Sequence, residues 1–72
     1  MNQKTYDYVV RWWDSDGALS AVYCHSYMEA VGHFYNICNK LTTTAVAIFD
    51  YGTLEILKSA SFDGFNPWEY YE

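Results

Sequence analysis

The side chains best suited to metal or nucleophilic chemistry are those of Cys24, His25, His33 and Cys38. Thiolates and imidazoles are common zinc ligands, and structural zinc sites usually pair two of them about two to four residues apart on a turn. In this chain Cys24 and His25 are adjacent, and a predicted helix carries the other two residues. Because this spacing does not fit a structural zinc site, we expect no metal and no cofactor. The expected role of Cys24 is to end a strand, that of Cys38 is in the helix core, and the histidines are expected at the surface or its boundary.

Nucleophilic catalysis is the second chemistry that these residue types allow. Cys24, His25 and Asp50 offer a nucleophile, a base and an orienting acid, but no motif frames them. The four glycines are scattered singly, so the chain has no glycine-rich loop for phosphate. A chain of 72 residues also seldom encloses a substrate pocket. We therefore expect a protein without enzymatic activity.

The composition combines many aromatic residues with a strong negative charge. The 72 residues make one domain, near the lower limit for folding without help, and include three Trp, eight Tyr and four Phe. Nine acids against four bases give a net charge of −5, which repels phosphate backbones and attracts basic surfaces. Aromatic strands can stack bases when Lys and Arg accompany them, but the four bases here are widely spaced. We expect no direct binding of RNA or DNA.

The cellular location is inferred from the N-terminus and the cysteines. The start MNQKTYDYVV lacks the basic residues and long apolar run of a signal peptide, and no stretch approaches the roughly 20 apolar residues that span a bilayer. Two cysteines do not make a disulfide framework. A Cys24–Cys38 bridge is left open by the sequence, although reduction inside the cell argues against it. We expect a cytoplasmic protein with free thiols and no membrane contact.

Hydrophobic patterning predicts four strands and one helix. A first strand over residues 5–13, the turn DSDG and the returning strand ALSAVYC make one hairpin. The segments TTAVAIFD and TLEILKSA make a second hairpin. The predicted fold is α+β with the order ββαββ, in which one helix packs on one face of a four-stranded antiparallel or mixed sheet. We place this single domain in residues 1–61 and assign residues 62–72 to an aromatic and acidic tail.

The helix is predicted within SYMEAVGHFYNICNKL. Ser26 and Glu29 form a capping box, so the helix should begin at Tyr27. Gly32 in the middle indicates close packing on the sheet. Apolar residues at helical spacing predict a buried stripe of Tyr27, Ala30, Val31, Phe34, Cys38 and Leu41.

The second face of the sheet also needs a cover. Val9 and Trp13 alternate with Val10 and Trp12 along the first strand, so both faces carry apolar side chains. Either the tail or a second copy of the protein must bury the face that the helix leaves open. We expect the tail to fold back, with Phe62 and Phe65 on the sheet and residues 68–72 nearer the solvent.

Acidic residues interleaved with aromatic ones are typical of protein-binding hot spots. The carboxylates would meet Lys or Arg of a partner, and the tryptophans would supply apolar anchors. The alternative is that turns favour Asp and that surface charges only solubilise exposed edges. The predicted partner-binding residues are Asp14, Asp16, Asp63, Glu69, Glu72, Trp13 and Trp68.

Several features give the chain a class resemblance over its whole length. They are its small size, its net charge of −5, its free cysteines, and the segments RWWDSDG, SYMEAVGHFY and AIFDYGTLEIL. It resembles the small acidic accessory proteins of phages and mobile elements, the anti-CRISPR proteins among them. The resemblance implies inhibition of a host machine that handles nucleic acid, by occupation of a basic groove or by locking of subunits. It carries no functional residues over to this chain.

Two functions from different classes are consistent with these features. The first is a non-enzymatic, phage-encoded inhibitor that occludes a basic surface of a host defence complex, such as a CRISPR-Cas effector. The second is a structural or assembly domain that self-associates through the uncovered sheet face. In that homodimer Val9, Arg11 and Trp13 would meet their copies across a two-fold axis. The two functions are compatible, because an inhibitor can also be a dimer.

Overall fold

The structure, a computed structural model, describes residues 6–62, 64 and 66–70. Its elements in chain order are β1 (Tyr8–Asp14), β2 (Leu19–Cys24), α1 (Tyr27–Cys38), β3 (Thr43–Asp50), β4 (Ile56–Ser61) and a 3-10 helix (Pro67–Tyr70). The predicted α+β fold with the order ββαββ is therefore confirmed. The first strand was predicted over residues 5–13; Thr5 lies outside the described residues, and the strand begins at Tyr8 and ends at Asp14. The last strand was predicted from Thr53 but begins at Ile56.

The four strands form one antiparallel sheet in the order β2-β1-β3-β4, so β2 and β4 are its edges. The predicted turn between β1 and β2 is closed by the N–H of Asp14, which donates to the carbonyl of Ala18 at 2.9 Å. The carboxylate of Asp16 accepts a hydrogen bond from the N–H of Ala18 at 3.1 Å. Gly17 has a φ of 90°, a conformation that glycine adopts without strain.

Helix α1 begins at Tyr27, as the capping box predicts. The hydroxyl of Ser26 accepts the N–H of Glu29 at 3.1 Å, and the carboxylate of Glu29 accepts the N–H of His25 at 3.0 Å. Among the described residues, no helix has both the length and the apolar character needed to cross a bilayer. The close packing inferred for Gly32 is wrong, because its Cα faces open space.

The core on the helix side contains residues of the helix and of β1, β2 and β3, and Ala60 of β4 packs against it. Its buried members are Val10, Cys24, Ala30, Phe34, Ile37, Val46 and Ile48. The predicted stripe was right for Ala30 and Phe34 but wrong for Tyr27, which is 42% exposed, and for Leu41. Leu41 is fully exposed because the helix has already ended at Cys38. Ile37 takes the buried position instead. Both cysteines are free thiols.

The opposite face of the sheet is partly covered by Trp68, which lies in the 3-10 helix after β4. Its buried cluster consists of Val9, Ala45, Ala47, Phe49 and Trp68, with Trp13 and Ile56 packed against it. The expectation that residue 68 lies nearer the solvent is wrong, since Trp68 is 3% exposed. Phe62 is half-buried and its N–H donates to the carbonyl of Thr44 at 2.9 Å, while Phe65 lies outside the described residues.

Candidate protein-binding site

One end of the sheet collects four acidic residues, Asp7, Glu29, Asp50 and Glu55, which we call the acidic end. The N–H of Asp7 donates to the carbonyl of Cys24 at 3.0 Å, and the carbonyl of Asp7 accepts the N–H of Tyr51 at 2.9 Å. The N–H of Asp50 donates to the carbonyl of Glu55 at 2.8 Å. Glu29 joins them because it lies in the first turn of α1, which follows the end of β2. Asp50 is half-buried and the other three are exposed.

Four rings form a continuous row across the same end, which we call the aromatic row. His25 stacks on Tyr6 with 4.6 Å between centroids, and Tyr6 lies 5.6 Å from Tyr23. Tyr23 meets Tyr51 edge-on at 5.7 Å. Tyr23 and Tyr51 are each almost half exposed. Such rings give large contact area at low entropy cost, which is why Tyr is common in protein interfaces.

The orientation of Tyr6 departs from simple strand alternation. Alternation would place Tyr6 on the same face as Tyr8, whose ring contacts Tyr27 of the helix at 5.6 Å. Instead Tyr6 contacts Tyr23, which is paired with Val9 and so shares the opposite face. The N–H of Asp7 donates to the carbonyl of Cys24, which is already the register partner of Tyr8. Asp7 and Tyr8 therefore both lie opposite Cys24, and this bulge shifts the alternation of side chains between the two faces of the sheet by one residue.

The loop between Asp50 and Glu55 presents an apolar side chain beside these acids. Leu54 is 56% exposed and has a φ of 63°, in the left-handed region that non-glycine residues adopt only at a cost of about 1–2 kcal/mol. Its N–H donates to the carbonyl of Asp50 at 2.7 Å. The carboxylate of Asp50 accepts the N–H groups of Gly52 and Thr53 at 2.9 and 3.0 Å. The loop is therefore well ordered, and its strained leucine faces outward.

The lysine and arginine side chains that the structure describes lie elsewhere, each over an aromatic ring. Arg11 lies 5.3 Å from the centroid of Phe49, on the face covered by the C-terminal segment. Lys40, beyond the C-terminus of α1, lies 5.9 Å from the ring of Trp12. Lys58 lies over the rings of Phe34 and Tyr35 at 5.5 and 5.6 Å. The acidic end therefore keeps an unbalanced negative charge among these residues.

The predicted acidic contacts lie away from the acidic end or outside the described residues. Asp14 is the last residue of β1 and Asp16 lies in the turn that follows, at the opposite end of that strand from Asp7. Asp63 and Glu72 lie outside the described residues, and Glu69 belongs to the 3-10 helix. The acids that the structure places at one end of the sheet are therefore not the acids that were predicted to bind a partner.

The predicted apolar anchors and the predicted dimer face need correction. Trp68 is buried against Phe49 and cannot serve as an exposed anchor, while Trp13 is half-buried beside the same cluster. Val9 is 1% exposed, so it cannot meet a second copy. Arg11 is half-buried over Phe49. Trp68 covers part of the face that the alternative dimer would use.

The edge strand β2 leaves backbone groups unpaired by the sheet. The N–H of Asp14 donates to the carbonyl of Ala18, so these two residues form a hydrogen-bonded pair. Hydrogen-bonded and non-hydrogen-bonded pairs alternate along the antiparallel β1–β2 ladder, which fixes the state of every other pair. Backbone groups of Leu19, Ala21 and Tyr23 therefore point away from β1, and we call these residues the open edge. All three side chains are exposed, and the strand LSAVYC contains neither a charge nor a proline. Natural edge strands usually carry such protection against pairing.

A second cluster of reactive groups lies where β2 meets α1. The thiol of Cys24, a carboxylate oxygen of Glu29 and a ring nitrogen of His33 all lie within 4.8 Å of one another. His25 and Cys38 are outside this cluster. Burial, and then the negative charge of Glu29, raise the pKa of the Cys24 thiol. A buried thiol that favours its protonated form is a poor nucleophile.

The acidic end and this cluster were both missed in the sequence, although a signal was present for the cluster. Of the acids at the acidic end only Asp50 ends a predicted strand, because the strands predicted over residues 5–13 and in TLEILKSA enclose Asp7 and Glu55. Glu29 and His33 are four residues apart on the predicted helix, which places them on one face.

Comparison of the chain with protein-family models, curated protein sequences and solved structures finds no match. The case for a function therefore depends on the geometry of these surfaces.

Proposed function

We propose that the protein is a non-enzymatic inhibitor that binds a basic surface of a protein partner through its acidic end. The observation that carries this proposal is the placement of four acidic residues, the aromatic row and an outward leucine at one end of the sheet. The described Lys and Arg side chains lie on rings elsewhere. Negative charge would set the approach to the partner, and the rings and Leu54 would slow its release.

The surface is suited to binding because its groups are held before a partner arrives. Glu29 and Asp50 accept backbone hydrogen bonds that fix their carboxylates. Tyr23 and Tyr51 are restrained by edge-on contact. Little side-chain freedom is then lost on binding, and less of the interaction energy is offset by ordering.

The partner that fits this chemistry is a protein or nucleoprotein complex whose Lys and Arg normally hold phosphates. Carboxylates at such a surface would take the place of the nucleic acid and block its binding. The class resemblance to anti-CRISPR proteins supports a phage-encoded inhibitor that acts in the host cytoplasm on a defence complex. Direct contact with nucleic acid is not part of this mechanism, since the net charge is −5.

The test compares two double variants with the same change in charge. Asp7→Lys with Glu55→Lys alters the acidic end, and Asp14→Lys with Asp16→Lys alters the turn at the other end. Each protein is used to capture partners from a bacterial lysate, and bound proteins are identified. The identified partner is then assayed for nucleic-acid binding by fluorescence anisotropy, with and without the inhibitor.

We expect the first double variant to lose both capture and inhibition, because it replaces attraction by repulsion. The second should retain both, and melting temperatures check that each variant folds. If only the second double variant loses capture and inhibition, the partner contacts the turn between β1 and β2 and not the acidic end. Direct binding of a polynucleotide by the unmodified protein would contradict the proposed mechanism.

A second candidate function is self-association, and the open edge favours it. In an antiparallel pairing of two copies centred on Ala21, Leu19 of one copy lies opposite Tyr23 of the other. The outward backbone groups of the open edge would then pair with one another across a two-fold axis. No charged side chain of β2 would be brought into contact. Such a dimer keeps the acidic end of each copy available if the partner contacts the acids and Leu54.

A further inference from the structure

The cluster of Cys24, Glu29 and His33 has the composition of a metal site. In a tetrahedral zinc site with bonds of about 2.0–2.3 Å, neighbouring ligand atoms are about 3.3–3.8 Å apart. The three ligand atoms here lie within 4.8 Å of one another. The limit of 4.8 Å exceeds the tetrahedral ligand–ligand distances by about 1–1.5 Å.

We propose that Cys24, Glu29 and His33 form a zinc-binding site that joins the end of β2 to the first two turns of α1. One thiolate, one imidazole and one carboxylate are all ligands that Zn²⁺ accepts. Three protein ligands leave a fourth position for water or for a group from outside the chain. This inference shares Glu29 with the acidic end, but it does not rest on the proposed function, because a metal bound at Glu29 leaves Asp7, Asp50 and Glu55 for a partner.

The local fold explains why these three groups converge. Ser26 and Glu29 fix the start of α1, and Glu29 and His33 are then neighbours on the same face of the helix. The last residue of β2 is Cys24, which precedes the helix cap by two residues. The site is thus built from one strand end, one cap and one helical turn.

The carboxylate of Glu29 is oriented for this role by its own hydrogen bond. Its Oε1 accepts the N–H of His25 at 3.0 Å, which leaves the other oxygen for a metal. A bound carboxylate that also accepts a hydrogen bond is typical of metal sites, where outer partners hold the ligands in place.

The charge balance of the cluster also favours a cation. The buried thiol of Cys24 lies within 4.8 Å of a carboxylate oxygen of Glu29, so a cation between them would sit beside a negative charge. On binding, Zn²⁺ would form a bond to sulfur, the thiol proton would pass to solvent, and the metal charge would offset those of the thiolate and the carboxylate. No oxidation or reduction is involved.

The chain offers matched controls for a binding experiment. Cys24→Ser, Glu29→Gln and His33→Gln each remove one ligand, and glutamine at position 29 can still accept the His25 N–H. Cys38→Ser and His25→Gln remove the same residue types outside the cluster. The metal-free protein and each variant are titrated with Co²⁺ alone, followed by Zn²⁺ as competitor. Circular dichroism checks the fold of each.

We expect one Co²⁺ per chain, with an absorption band from charge transfer between thiolate and cobalt and with visible bands of tetrahedral Co²⁺. Zn²⁺ should displace both. Each ligand variant should lose the thiolate band or bind at least about tenfold more weakly, while the two control variants should match the unmodified protein.

The proposal fails if the unmodified protein gives no thiolate band. It also fails if Cys38→Ser abolishes the band, or if Glu29→Gln and His33→Gln both bind as the unmodified protein does. Because Cys24 is fully buried, Cys24→Ser could unfold the chain. The spectrum of the unmodified protein, together with the Glu29, His33 and Cys38 variants, then decides the outcome.

Discussion

The indole ring of Trp68 packs edge-on against the ring of Phe49, with 5.7 Å between centroids and 75° between planes. The indole N–H also donates to the carbonyl of Ala60 at 3.3 Å. Trp68 thereby ties the C-terminal segment to β3 and β4, on the face that α1 does not cover. In a chain of this size the area that one buried tryptophan supplies is a large part of the core.

The first prediction is that Trp68→Ala destabilises the fold by about 3–5 kcal/mol, the range for loss of a large buried aromatic side chain. Urea denaturation measures the change in the free energy of unfolding. Met28→Ala serves as a control, since Met28 is 84% exposed and should alter stability by less than about 0.5 kcal/mol. Equal stability of Trp68→Ala and the unmodified protein would show that the segment is not part of the folded core.

The patterning of local residues was sufficient to predict most of the fold. The DSDG turn, the cap at Ser26 and the alternation in β1 are decided by residues close in sequence, and each is present. The position of Trp68 was missed because it depends on a contact between segments that are distant in sequence. Composition predicted a cover for the second face, but it did not predict which ring would provide it.

The candidate site was harder to predict for the same reason. Turn composition drew attention to Asp14 and Asp16, two acids separated by a single residue. Asp7, Asp50 and Glu55 are scattered along the chain and are brought to one end of the sheet by strand pairing, and helix α1 adds Glu29. The irregular backbone at Asp7 also turns Tyr6 toward Tyr23, which strict alternation does not predict.

A second prediction concerns Leu54, whose effects on stability and binding should be separable. Leu54→Gly removes the cost of a left-handed leucine, so the free energy of unfolding should stay the same or rise by up to about 1 kcal/mol. The same change deletes an exposed apolar group at the acidic end. Binding to the partner identified by capture should therefore weaken by about tenfold, a typical loss for an apolar contact.

Leu41→Gly is the matched control for this variant. Leu41 is fully exposed and lies between α1 and β3, at the other end of the sheet. Its replacement should leave partner binding unchanged, as measured by calorimetric titration. If Leu54→Gly binds as tightly as the unmodified protein, Leu54 is outside the interface. The backbone strain at Leu54 then has no role in binding.

The last prediction tests the open edge of β2. If two copies pair around Ala21, Ala21→Lys places two ammonium groups opposite each other and should prevent association. Ser59→Lys is the matched control, because Ser59 is an exposed residue on the other edge strand, β4. Sedimentation over a wide concentration range should show a dimer for the unmodified protein and for Ser59→Lys, and a monomer for Ala21→Lys. A monomer for the unmodified protein at every concentration would exclude the dimer. Loss of the dimer only in Ser59→Lys would place the interface on β4 instead.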